Sequence, residues 1–227
     1  MSHVRVPEPD DLADSRRRMV DEQLVARGIH DPGVLAAMRR LPRHLFVEAE
    51  WRSRAYADCA LPAREGQTIS QPWIVARMLE LAELEPGLRV LEIGTGTGYQ
   101  TALLAELAGE VYTIERIASL LDAARGRLTG MGYANVRFAA GDDTLGWQEF
   151  APYARVLAAA AAPHVPRALL DQLGDGGLLV IPVGGAQSQH LDVWRRRGDR
   201  FLHDRYDECR FVPLIGQDAW REDPHHN

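Results

Sequence analysis

The sequence predicts an α/β fold: a Rossmann-like parallel sheet with a helical region before it and an antiparallel hairpin after it. Three observations carry that expectation. From Arg89 onward, short apolar runs alternate with helix-length segments, the pattern of repeated βαβ units. A glycine turn follows the first of those runs. The chain has 227 residues, 46% hydrophobic and 26% charged, which suits one globular domain with its own core.

Residues 1–83 are expected to form N-terminal helices and a loop, 84–185 the Rossmann-like core, and 186–227 C-terminal strands and a tail, all in one compact domain. In the first region Pro9, Asp10 and Asp11 can open a helix whose Leu12, Met19, Leu24 and Val25 share an apolar side, and Gly28 closes it. The Arg16 to Arg18 run, with Asp14, Asp21 and Glu22 nearby, reads as a solvated face rather than an anion site. Asp31 and Pro32 start a second short helix carrying Val34, Leu35 and Met38. Pro42 stops it, since proline disfavours a helical residue before itself.

In the core, strands are expected at Arg89–Ile93, Glu110–Glu115, Val136–Ala139, Arg155–Ala158 and Leu178–Ile181, with helices at about 98–108, 117–130 and 165–173. Gly174, Gly176 and Gly177 are expected to turn the chain into the last strand. Beyond 186, Leu191 and Val193 alternate with polar neighbours, a turn falls near Gly198 and Asp199, and a further run covers Phe211–Ile215. These features read as an antiparallel hairpin added to the sheet. The tail from Gln217 to Asn227, with His225 and His226, is expected to fray.

Composition removes several chemistries. All 26 basic residues are Arg. Without Lys there is no P-loop lysine, no kinase strand lysine and no amine for pyridoxal or aldolase chemistry. The net charge of −6 gives no general pull toward nucleic acid. Cys59 and Cys209 form no CxxC pair and no HExxH is present, so no metal site is expected and both cysteines read as free thiols. The first twenty residues lack the apolar core of a secretory peptide, and the longest apolar runs, Val156–Ala162 and Gly176–Val183, fall far short of the roughly 20 residues that span a bilayer. A cytoplasmic monomer with no membrane and no nucleic-acid partner is expected.

The informative segment runs from Leu91 to Tyr99, LEIGTGTGY, where a strand ends and a helix begins. A dinucleotide fold calls for GxGxxG. Here Gly94, Gly96 and Gly98 make ExGxGxG, the pattern of S-adenosylmethionine methyltransferases. Glycines let the backbone pass close to the ligand and take positive φ. Glu92 is expected at the strand end, facing the ammonium of the cofactor. Glu115 ends the next strand 17 positions after Gly98, where an acid accepts both ribose hydroxyls. Asp142, after the third strand, is expected to accept a hydrogen bond from the adenine amine, a helix N-cap being the plainer role for it. The adenine-amine methylases are disfavoured, because the chain has no Pro-Pro pair and only two Asn.

Several further segments carry a specific resemblance: GQTISQP at 66–72, VLEIGTGTGYQ at 90–100, VYTIER at 111–116, AAAP at 160–163 and LLVIPVG at 178–184. With MVDEQL at 19–24, Pro42 and Arg43, Phe46 and Val47, and RFVPL at 210–214, they make the chain resemble the protein-L-isoaspartate O-methyltransferases over all but its two ends. The resemblance implies a class I S-adenosylmethionine methyltransferase acting on peptides or proteins that contain isoaspartate. It also implies that the 66–72 loop lies over the cofactor, with Ser70 contacting the substrate carboxylate and Gln67 and Thr68 as supporting loop positions.

The implied chemistry needs no general base. A carboxylate already ionised at neutral pH attacks the sulfonium methyl in line. Alignment of two bound reactants supplies about 7–11 kcal/mol. The resulting α-carboxyl ester is a better leaving group, so the neighbouring amide nitrogen closes a succinimide that hydrolyses partly to normal aspartate.

Three departures from the family pattern stand near the substrate. Leu61 to Gly66 reads LPAREG where the family usually has LPIG, so Arg64 is either a carboxylate clamp or a solvated loop residue. Tyr153, Ala154 and Arg155 replace a common Tyr-Asp, and Asp143 stands where Gly is common. They leave room for a methyltransferase of ordinary aspartate in a dedicated peptide; a non-catalytic cofactor-binding partner is a separate alternative, against which the intact Ser70, Glu92, Glu115 and Asp142 argue.

Overall fold

The structure, a computed structural model, is described for residues 10–141 and 145–221. Helix α1 (Asp10–Arg18) runs on through a π-helical turn at Met19–Leu24 and a 3₁₀ turn at Val25–Arg27, and closes at Gly28 with φ +86°. The expected apolar side is there in part: Met19 and Leu24 are buried, with Leu12 packed against the same cluster, whereas Val25, placed on that side by the sequence, is exposed in the 3₁₀ turn. In α1, Arg16 donates to the Arg39 carbonyl and Arg17 pairs with Asp14, so these charges serve local contacts.

Helix α2 (Pro32–Arg40) opens as expected, Asp31 Oδ1 accepting from the Val34 amide at 2.8 Å with Pro32 in the first turn. Two 3₁₀ segments follow at Arg43–Phe46 and Ala49–Arg54. A short hairpin of β1 (Leu61–Pro62) and β2 (Thr68–Ile69) then leads into α3 (Pro72–Leu81). Pro72 sets the first turn of α3, and Ile74, Val75, Met78 and Leu79 bury one face at helical spacing.

The core of the molecule is a seven-stranded sheet. Strands β3 (Arg89–Ile93), β4 (Glu110–Glu115), β5 (Val136–Ala140), β6 (Tyr153–Ala158) and β7 (Leu173–Gly184) are parallel, and β8 (Gln189–Arg197) and β9 (Arg200–Cys209) add an antiparallel hairpin. The order is β5-β4-β3-β6-β7-β8-β9. It reverses between β3 and β6, so the loops leaving their carboxyl ends diverge and open a crevice. Helices α4 (Tyr99–Leu107), α5 (Ala118–Gly130) and α6 (Arg167–Asp171) make the crossovers.

Each face of the sheet has its own apolar layer. Val90, Val111 and Leu157 pack with α2, α3 and α4, whereas Leu91, Ile93, Val156 and Ala158 pack with α6 and Leu214. Burial on both faces is why the central strands read as continuous apolar runs rather than alternating ones.

Two expectations are corrected. Gly174, Gly176 and Gly177 do not precede the last parallel strand; they lie inside β7, which starts at Leu173, and the β6–β7 register slips between Tyr153 and Arg155. A side chain at Gly177 would sit 2.8 Å from the Gly174 carbonyl, so only glycine fits this bulge. The second strand of the hairpin is Arg200–Cys209, and the Phe211–Ile215 run leaves the sheet. Pro213 has no N–H for a ladder, and the segment pairs instead with Ala161, which donates to Val212 O and accepts from the Leu214 amide, both at 2.8 Å.

Candidate active site

A cleft of about 1700 Å³ opens at the switch between β3 and β6, at the carboxyl ends of the parallel strands. It is bordered by the glycine turn, the loops after β4 and β5, the Gly66–Gln71 loop and the 208–215 segment. Of the residues singled out in the sequence, Ser70, Gln67, Thr68, Gly94, Gly96 and Glu115 all line it. Asp142 and Asp143 lie outside the described residues. Their neighbours Gly141 and Leu145 both line the cleft.

The glycine turn is built from the backbone. Gly94, Gly96 and Gly98 have φ of +93°, +51° and +83°, a region L side chains rarely enter. Gly98 packs under α5: a Cβ there would lie 3.3 Å from the Ala124 Cβ and 3.2 Å from a Leu128 methyl. At Gly96 a Cβ would meet nothing within 4 Å and would project into the cleft, which leaves this stretch of backbone bare for a ligand.

Glu115 ends β4 at the floor of the cleft, its Oε2 accepting from the Gly96 amide at 2.9 Å and its Oε1 from the Ile117 amide at 3.0 Å. Each oxygen keeps a further acceptor site, and a carboxylate offering two is what a vicinal diol needs.

Glu92 is placed differently from the expectation. It does not line the cleft but lies beneath the glycine turn, fully buried. Its Oε2 accepts from Thr101 at 2.6 Å and Thr113 at 2.7 Å, and its Oε1 from Gln100 at 3.1 Å. Val90 and Glu92 share the sheet face toward α4, and this turns the carboxyl inward. Burial pushes its carboxyl up to about 7; the three hydrogen bonds oppose that rise, and the charge of Glu115 adds to it.

The loop over the cleft and the residues leading into it are held at several points, among them Gln71 Nε2, which donates to Asp58 Oδ1 at 2.7 Å. Arg64 pairs with Glu48 at 3.1 Å and does not line the cleft, which removes the carboxylate-clamp role considered for it. Glu65, with φ +58°, accepts from Ser119 of α5 at 2.7 Å, so the loop bridges to the far wall. The Ser70 carbonyl accepts from Arg43 at 2.9 Å. Arg43 and Glu65 escaped the sequence reading as site residues, because each acts through a partner more than 25 positions away.

Cys59 and Cys209 are free, as expected, and both border the cleft. Burial, then the charges of Asp192, Asp207 and Glu208, push the Cys209 thiol up to about 12, so it is an inert wall. Among the described residues no group of three His, Cys, Asp or Glu could hold a metal ion, and no helix is long and apolar enough to cross a membrane.

Comparison with known proteins agrees with this geometry. Residues 14–219 match the family model described as Protein-L-isoaspartate(D-aspartate) O-methyltransferase (PCMT). The chain is 50% identical over 207 residues to a protein-L-isoaspartate O-methyltransferase of Dictyoglomus thermophilum, covering 91% of this chain and 94% of the relative. It is 54% identical over 203 residues to that of Halorhodospira halophila, covering 88% and 91%. A solved protein-L-isoaspartate O-methyltransferase superposes with a TM-score of 0.81 at 27% identity over 90% of this chain and 67% of the other. A Plasmodium falciparum structure in complex with S-adenosyl-L-homocysteine shares the fold, with a TM-score of 0.76 at 22% identity, over 87% of this chain and 96% of the other. With residues 14–219 matched by the family model and relatives about half identical over nearly the whole chain, the chain belongs to the protein-L-isoaspartate(D-aspartate) O-methyltransferase family.

Proposed function

We propose that Ser70 receives the α-carboxylate of an L-isoaspartyl residue and presents it across the cleft to the ligand held by the glycine turn. Membership of the family makes the chain an S-adenosylmethionine-dependent methyltransferase whose protein and peptide substrates contain isoaspartate. The observation that carries the residue assignment is that Ser70, Glu115 and the bare backbone at Gly96 line one continuous cleft.

S-adenosylmethionine, when bound, supplies an electrophilic methyl group on a sulfonium. The residues of the chain bind and orient. Gly94 and Gly96 make room for the cofactor while Gly98 lets the turn pack under α5, Glu115 accepts from the ribose hydroxyls, and Asp142 accepts from the adenine amine. Glu92 supports the turn from beneath through Gln100, Thr101 and Thr113. Gln67 and Thr68 shape the loop around the substrate, and the loop excludes water. Ser70 donates one hydrogen bond to the carboxylate, enough to orient it while leaving it nucleophilic. No proton is removed from the nucleophile, since a carboxylate is ionised at neutral pH. The protein acts as a cytoplasmic monomer without nucleic acid, a reading supported by its charge of −6.

The test is a pair of peptides differing only in an isoaspartyl or aspartyl linkage, offered with the cofactor to wild type and Ser70→Ala. Base-labile methyl esters on the isoaspartyl peptide alone, lost in Ser70→Ala with cofactor affinity intact, are expected. Esters on the aspartyl twin alone would overturn the substrate assignment.

A further inference from the structure

We propose that Arg43 is a positioning residue for methyl transfer, a rigid fork that fixes Ser70 relative to the glycine turn. The inference rests on the assignment of Ser70 to the substrate carboxylate.

The observations are a buried cation and its contacts. Arg43 lies in the 3₁₀ turn Arg43–Phe46 and is fully buried. Its Nε donates to the Ala55 carbonyl at 2.8 Å and one Nη to the Ser70 carbonyl at 2.9 Å. Its guanidinium carbon lies 4.9 Å from the ring centroid of Tyr99. Tyr99 lines the cleft and is the first residue of α4, directly after Gly98. One planar group therefore touches both the segment that carries Ser70 and the residue that ends the glycine turn.

Packing alone does not account for an arginine here. Among the described residues no carboxylate pairs with Arg43, its other Nη has no hydrogen-bond partner, and the Tyr99 hydroxyl has none either. A buried charge without a counter-charge is costly, and an apolar side chain of similar volume would fill the space more cheaply. What an apolar group cannot do is hold two carbonyls in fixed directions while lying on a ring. Lysine cannot either, because its donors radiate from one atom on a flexible stem.

Ser70 needs such a tether. The strand before it has two residues, and Ser70 itself lies outside every ladder, between β2 and α3. Among the described residues its carbonyl is held by Arg43, and alignment of nucleophile and methyl tolerates little displacement: an error near 1 Å costs about 100-fold in rate.

The test uses the intact chain carrying Arg43→Lys or Arg43→Met, each alone and with Ser70→Ala. Arg43→Met buries no charge, so it supplies a folded variant where the ammonium of lysine proves too costly to bury. Calorimetry with S-adenosylhomocysteine reports the cofactor site, and steady-state kinetics on an isoaspartyl peptide separate kcat from KM. We expect wild-type cofactor affinity and a kcat about 10- to 100-fold lower, with little further loss when either change is added to Ser70→Ala. Wild-type kcat in Arg43→Met overturns the proposal. So do losses that multiply in the double variant, which would make Arg43 independent of Ser70, and loss of cofactor binding or of the folded state in both variants, which would make it a stability residue. Full turnover by Ser70→Ala removes the assignment on which the proposal stands, whereas an impaired Ser70→Ala beside a fully active Arg43→Met removes the proposal alone.

Discussion

The Gly96 amide donates to Glu115 Oε2 at 2.9 Å, tying the end of β4 to the glycine turn that follows β3. One carboxylate thus sets the backbone that makes room for the cofactor and offers acceptors to the ribose. Glu115→Ala removes both, and hydrogen bonds to a charged group contribute about 1.5–3 kcal/mol, so the cofactor dissociation constant should rise at least about tenfold. Calorimetry with S-adenosylhomocysteine measures it, and an unchanged constant would place the ribose elsewhere.

The contact from Ser119 to Glu65 joins the loop to the opposite wall of the cleft across 54 positions of sequence. The expected outcome is that this contact slows the opening of the loop over a bound cofactor. Removing one exposed hydrogen bond is worth about 1 kcal/mol, so Ser119→Ala should release S-adenosylhomocysteine about fivefold faster. Stopped-flow displacement reads this directly; an unaltered release rate would mean that the loop opens by another route.

Glu92 makes the protein sensitive to pH in a direction opposite to most carboxylates. Its folded-state carboxyl is raised from 4.5 to about 7, so its contribution is complete below the lower value and is lost as pH rises through the upper one. Glu92→Gln has no such loss. The melting temperature of the variant minus that of wild type, both without cofactor, should therefore climb between pH 5 and pH 8. A difference that is flat or falls across this range would show that Glu92 ionises as an ordinary carboxylate.

Leu157 lies on β6 at the centre of the sheet, with no exposed surface. Truncation leaves a cavity that rigid strands on both sides cannot close, so Leu157→Ala should lose about 2–5 kcal/mol of stability. Urea unfolding followed by circular dichroism gives the figure. A loss below about 1 kcal/mol would mean that the layer repacks around the gap.

Much of the site was legible because it is local. The glycine spacing at 94, 96 and 98, the acid at 115 and the loop at 66–72 are each contiguous stretches whose backbone does the work, and the structure gathers them around one cleft. Arg43 was visible only as part of a family motif. Its partners Ala55, Ser70 and Tyr99 come from three separate segments, and nothing in the spacing of those residues marks them as neighbours.

By itself the sequence determined the succession of βαβ units, the class of ligand and the family, since hydrophobic periodicity and glycine placement report what each short segment must bury or expose. Tertiary structure decided the rest. A central parallel strand is apolar on both faces, so its pattern says nothing about which way a lone acid points, and only the packing of α4 turned Glu92 inward. The 211–215 run has strand-like residues, yet it leaves the sheet after β9 and bridges through Pro213 to Ala161 beside the cleft, a placement that proline, which lacks a ladder donor, tolerates. Such outcomes depend on which surfaces meet across the chain, information that no window of neighbouring residues contains.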